Sequence, residues 1–202
     1  MPIPVYEIRK SVNDLGSPNM AIKASLIVLS LFPLISQASL TPDSLRHAAE
    51  AGGADKAWVA LKQADGWQTL LSGVAKGEPA WLNTLPLFAS TANQQQRDAL
   101  LNSLAFSLTS NPAATLDILP DIGKTIDKSE INLYDWQYLC PGFISLDYTK
   151  ESVVRYYDSA TEALRKIGDK GEACMTLMYE GREELKEEEF RGKMTWGSKT
   201  WP

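Results

Sequence analysis

Histidine is almost missing from this 202-residue chain, which holds one, His47. A single imidazole excludes every site that needs two, including HExxH zinc proteases and most histidine-rich zinc sites. Cysteine is scarce too: Cys140 and Cys174 are the only two, and their separation of 34 excludes a CxxC redox pair. Positive charge is short, with 20 Lys+Arg against 25 Asp+Glu, a net charge of −5 and a pI near 5.0. Such a chain offers no basic face to nucleic acid. Neither GxxxxGK[ST] nor GxGxxG occurs, so a phosphate loop is not expected, and there is no GxSxG nucleophile elbow. Alternation of period two is also lacking, which makes a β-sandwich, a barrel or a doubly wound sheet a poor fit.

The chain has little in the way of long apolar runs. The one from Ala24 to Ile35 carries Pro33 and is shorter than the roughly 20 residues a membrane-spanning helix needs. Preceded by Met20-Ala21-Ile22-Lys23 and followed by Ser36-Gln37-Ala38, it has the charged start, apolar middle and small-x-small end of a secretory signal peptide. Residues 20–38 are therefore the expected signal, with cleavage between Ala38 and Ser39. Residues 1–19 read as an upstream extension ahead of a start at Met20, or as an unusually long n-region. No cysteine follows the apolar run, so no lipid or membrane anchor is expected after cleavage. Loss of residues 1–38 removes three cations and two anions, so the acidity belongs to the mature chain. An even cysteine count in an exported chain favours a Cys140–Cys174 disulfide. The loop it closes is worth roughly 4 kcal/mol in the chain-entropy account.

What is abundant is helical periodicity. Thr41-Pro42-Asp43 forms an N-cap, a proline at the first helical position and an early acid, and the helix they open, which carries His47, stops at Gly52-Gly53. Ala57, Trp58 and Leu61 recur at helical spacing before Asp65-Gly66, and Trp67, Leu70, Leu71 and Val74 do so before Gly77. After Glu78-Pro79, Trp81, Leu82, Leu85 and Phe88 are expected on one face. Asn93 to Ser110 is the strongest helix, with Leu100, Leu101, Leu104, Ala105 and Leu108 inside. Asn111-Pro112 starts another through Leu119, followed by a less regular stretch from Pro120 to Ser129. Ile131 to Leu139 fits neither helix nor strand cleanly. Helices return from Thr149 to Gly168 and from Gly171 to Phe190. The expectation is an all-α domain over 39–192, an irregular bundle or helix-hairpin stack of about seven or eight short helices, with a tryptophan-containing tail at 193–202.

Candidate sites are few, and no catalytic, cofactor or metal residue is expected. Trp58, Trp67, Trp81 and Phe88 could stack on a sugar, but beside Leu and Ala at helical spacing they read as core. His47, on an alanine-rich helix without a nucleophile or acid partner, reads as a surface residue. The six glutamates of Glu180–Glu189 lie along a helix rather than a calcium loop and read as a solvated helix end. Trp196 and Trp201, in the tail, either pack on the domain or contact a partner.

The run Trp67 to Leu82, with its Gly77-Glu78-Pro79-Ala80-Trp81 turn, followed by Leu100, Leu104 and Asn111-Pro112 through Leu116, resembles a group of small exported α-helical proteins of proteobacteria with no assigned activity. The likeness covers about Trp58 to Cys140, rests on packing residues and implies a periplasmic location. Immunity proteins that occupy a toxin's active site share only size and class with the chain. The expected function is a soluble periplasmic protein-interaction module, immunity- or inhibitor-like, with a protein partner in the envelope. The alternatives are an envelope hydrolase using a carboxylate pair among Asp121, Asp127 and Glu130, and a structural or stress-related envelope factor.

Overall fold

Capping residues fix where the helices begin. The Thr41 hydroxyl accepts from the Ser44 amide while the Ser44 hydroxyl accepts from the Thr41 amide, a reciprocal box that starts α1 (Pro42–Leu61). Asn93 and Gln96 make the same exchange ahead of α4 (Gln94–Ser110). Asn111 accepts from the Ala114 amide at the start of α5 (Pro112–Gly123), and Thr149 from the Ser152 amide ahead of α7 (Lys150–Lys166). Between these lie α2 (Gly66–Ala75), α3 (Pro79–Leu82) and α6 (Trp136–Leu139), and α8 (Asp169–Phe190) closes the series. This computed structural model describes residues 39–63, 65–127, 132–141 and 147–201. The expected extension, the signal segment and Ala38 of the cleavage pair lie outside the described residues, and Ser39 is exposed at their start.

Among the described residues there are eight α-helices and no strand, with one isolated parallel bridge, Tyr148 to Lys199. The architecture is the all-α irregular bundle that the periodicity predicts. α4 is its centre: it packs against α2, α5 and α7, and α7 packs against α8. Leu100, Leu101, Leu104 and Leu108 are fully buried on it, a gross hydrophobic contribution on the order of 10 kcal/mol. Ser107, also buried there, donates to the Leu104 carbonyl at 2.6 Å and bonds the Thr115 hydroxyl at 2.7 Å, so the α4–α5 junction leaves no orphan hydroxyl.

Three local expectations change. Trp81 to Phe88 is not one helical face. α3 ends at Leu82, and two single-turn 3₁₀ helices, Leu85–Leu87 and Ala89–Thr91, follow, because Pro86 sits at the start of the first and supplies no amide. α5 does not stop at Leu119. It carries Pro120, exposed, to Gly123, because one more turn buries Ile122 beside Ile118 and Leu119. The ambiguous stretch resolves, over its described part, into a turn and the short α6 capped by Asp135, whose carboxylate accepts from the Gln137 amide. The first two expected helices survive as one span bent at Gly52-Gly53, where Gly53 has φ +69°.

The Cys140–Cys174 disulfide is formed, both sulfurs buried, tying the end of α6 to α8. Beside it the Tyr157 hydroxyl donates to the Pro141 carbonyl oxygen at 2.7 Å. A Cβ at Gly181 of α8 would overlap that same oxygen, so α8 approaches through a residue without a side chain.

Candidate functional site

Three surface features hold the groups able to meet another molecule: the tail, the outer face of α8, and a depression between α2 and α3.

α8 ends in a Schellman motif. Gly192, at φ +71°, donates to the Glu189 carbonyl and Lys193 to the Glu188 carbonyl, both at 2.9 Å. That reversal sends the tail back across the domain. Gly197 donates to the Tyr148 carbonyl, Lys199 to the Asp147 carbonyl and Thr149 to the Lys199 carbonyl, at 2.8–3.0 Å. Trp201 stacks on Phe106 with ring centroids 6.0 Å apart and meets Tyr156 edge-on at 6.2 Å. Its amide donates to the Ser152 hydroxyl and its carbonyl accepts from Arg155. The Trp196 indole donates to Glu189 at 3.1 Å, and Lys150 pairs with the same carboxylate at 2.7 Å. Of the two readings open for Trp196 and Trp201, the structure has the packed one: both rings are partly buried against the core. Hydrogen bonds from Lys150, then from Trp196, hold the Glu189 carboxyl below its ordinary range despite some desolvation. Asp147 raises Lys199 above its own.

The glutamate run of α8 is less bare than its sequence implies. Glu187 and Glu188 pair with Arg191, Glu188 also with Lys193, Glu183 with Lys186, and Glu189 with Lys150. On the outer face, Tyr179, Glu183, Lys186 and Phe190 follow one another at helical spacing, all exposed. The Phe190 ring is 93% exposed and Tyr179 43%. The Tyr179 hydroxyl accepts from Arg165 at 3.1 Å.

The third feature is a depression of about 440 Å³. Gln68, Thr69 and Ser72 line it from α2, Lys76 and Glu78 from the following turn, and Trp81 from α3. A second Schellman motif shapes that turn: Gly77 (φ +67°) donates to Val74 and Glu78 to Gly73. Asn111 then pins it by donating to the Gly77 carbonyl at 2.9 Å. The Trp81 indole lies over Gly73, where any Cβ would collide with it. Sequence reasoning missed this pairing; its signal is a glycine on the apolar side of α2 eight positions before a tryptophan past a Gly-x-Pro turn.

The remaining sequence candidates are dispersed. Trp81 and Phe88 are buried, while Trp58 and Trp67 are half-buried and packed on them or on each other; the Trp58 indole donates to Thr91 at 2.9 Å. His47 is exposed and sits 3.3 Å from Glu50. Asp121 pairs with Lys124 at 2.7 Å, Asp127 is exposed, and Glu130 lies outside the described residues. Among the described residues no group of three His, Cys, Asp or Glu side chains could hold a metal ion. Compared with protein-family models, curated proteins and solved structures, the chain matches none.

Proposed function

We propose that the chain is an exported, disulfide-stapled helical module that binds another protein of the cell envelope, in the manner of an immunity or inhibitor protein. The outer face of α8 carries this reading: Phe190, 93% exposed, stands with Tyr179 on a helix dense in glutamate. Exposed aromatics are the residues that anchor protein interfaces, and the carboxylates around them steer a partner of opposite charge. The fitting partner therefore presents a basic surface with an apolar pocket. The tail tryptophans are engaged with Phe106 and Glu189, which leaves α8 as the display face. Export is supported by the disulfide, which persists in oxidising compartments, and by the signal-like residues 20–38. Among the described residues no helix is long and apolar enough to cross a membrane. The likeness to small exported helical proteins of proteobacteria points to the periplasm.

Crosslinking in intact cells, comparing the unaltered chain with Phe190→Ser and with Glu183→Lys/Glu187→Lys, tests the reading. A defined adduct, weakened by salt and lost in both variants while their folds persist, supports it. An adduct that is indifferent to both variants, or no adduct at all, overturns it. N-terminal sequencing of the exported form should begin at Ser39.

A further inference from the structure

We propose that the depression between α2 and α3 is a binding site for an uncharged, polyhydroxylated ligand, a short oligosaccharide segment. Three observations carry this. First, Trp81 lines the depression, and its indole N–H makes no hydrogen bond among the described residues and reaches solvent, so it can donate to a ligand there. An indole N–H is a donor only, so it fits a ligand oxygen at the wall. Second, the other polar groups on the wall are an amide (Gln68), two hydroxyls (Thr69, Ser72), one ammonium (Lys76) and one carboxylate (Glu78). The two charges lie 4.0 Å apart and cancel, so the lining has no net charge to neutralise a ligand's. It offers alternating donors and acceptors, and vicinal hydroxyls, each both donor and acceptor, match that set. Third, the framework is rigid. Asn111 holds the Gly77 turn, and the indole is seated on Gly73, so little order is lost on binding. The volume of about 440 Å³ lies in the usual range for small-molecule sites, and the open shape suits a segment of a chain over an enclosed metabolite.

The test uses the isotope-labelled, disulfide-bonded full chain and two neutral probes, cellotriose and triacetylchitotriose, at millimolar concentration, with glycine as a zwitterion and inorganic phosphate as an anion. NMR follows the assigned Trp81 indole and Gln68 side-chain amide signals. The expected result is a saturable shift of both with at least one trisaccharide and not with glycine or phosphate. Gln68→Ala and Ser72→Ala, each losing about one hydrogen bond, should weaken that binding up to about tenfold. Both side chains are exposed on α2, and the rest of the spectrum reports that the variants stay folded. Unmoved signals with both sugars, shifts with glycine or phosphate instead, or unchanged affinity in both variants would overturn the assignment. Since α8 is not involved, the outcome is independent of the crosslinking experiment.

Discussion

The Tyr157 hydroxyl donates to the Pro141 carbonyl at 2.7 Å, whereas the hydroxyl of its neighbour Tyr156, fully buried, has no partner among the described residues. Burial drives both phenols upward, Tyr157 to about 12, with Glu184 adding to the push and Arg182 opposing it. The two tyrosines should therefore respond oppositely to loss of oxygen. Tyr157→Phe removes a hydrogen bond and leaves the Pro141 carbonyl short of a donor, a loss of about 1 kcal/mol. Tyr156→Phe removes an unsatisfied polar atom and should be neutral or stabilising. Urea denaturation with an unchanged m-value separates them; equal losses in both would refute the assignment. Because the Tyr157 pKa is raised above the unfolded value of 10.0, its contribution is complete below pH 10 and drains away as pH climbs towards 12.

The disulfide lies beneath the same contact. Its sulfurs are buried, so thiol reagents need the domain to open before they can attack. The native protein should resist dithiothreitol at neutral pH and lose the bond quickly in urea. A Cys140→Ala/Cys174→Ala pair should lower stability by about 2–4 kcal/mol, since 34 residues of chain are no longer closed in the unfolded state. Rapid reduction of the native form would show that the α6 end opens without global unfolding. Gly181 is part of this staple: Gly181→Ala places a methyl against the Pro141 oxygen and should destabilise the domain.

Legibility followed the range of the interaction. Thr41, Asn93, Asn111 and Thr149 act on amides three residues away or fewer, so their caps could be read directly. The stripe on α4 and the even cysteine pair were legible for similar reasons: one is periodic, the other chemical. Pro120 misled because the local cost of an interior proline is visible in sequence, whereas the burial of Ile122 that outweighs it depends on distant helices. Gly73 under Trp81, Gly181 under Pro141 and Trp201 on Phe106 are contacts of 8, 40 and 95 residues' separation with no periodic mark. The candidate surfaces rest on these, so they were the least legible part.

The tail's docking makes Trp201 a stability residue. Full truncation of a buried tryptophan costs about 3–5 kcal/mol; for this half-buried ring Trp201→Ala should cost about 2 kcal/mol and expose Phe106 and Tyr156. Gly192 sets the tail's direction and its Cβ would meet nothing, so Gly192→Ala isolates the backbone term. Holding alanine at φ +71° should cost about 1 kcal/mol, and Gly192→Asn less. Thermal denaturation with limited proteolysis reads both; cleavage should fall between Arg191 and Ser198 in Gly192→Ala, and protection equal to that of the unaltered chain would argue against the tail's dependence on that turn.

The tail should also have a pH range bounded on both sides. Lys150, then Trp196, lower the Glu189 pKa, so the folded state binds fewer protons there than the unfolded one. Its contribution is complete above the ordinary value of 4.5 and is lost as pH falls through the depressed one. Lys199 is the reverse: Asp147 raises it, so its contribution is complete below 10.5 and is lost as pH rises through the elevated value. The Trp196 indole signal should therefore shift as pH falls through the depressed Glu189 pKa, and the signals of the tail near Lys199 as pH rises through its elevated one. Glu189→Gln should abolish the acid transition of Trp196 while leaving the alkaline one, and Lys199→Gln the converse. Since Tyr157 also titrates in the alkaline range, a transition that persists in Lys199→Gln and disappears in Tyr157→Phe would assign that limb to the disulfide face instead of the tail.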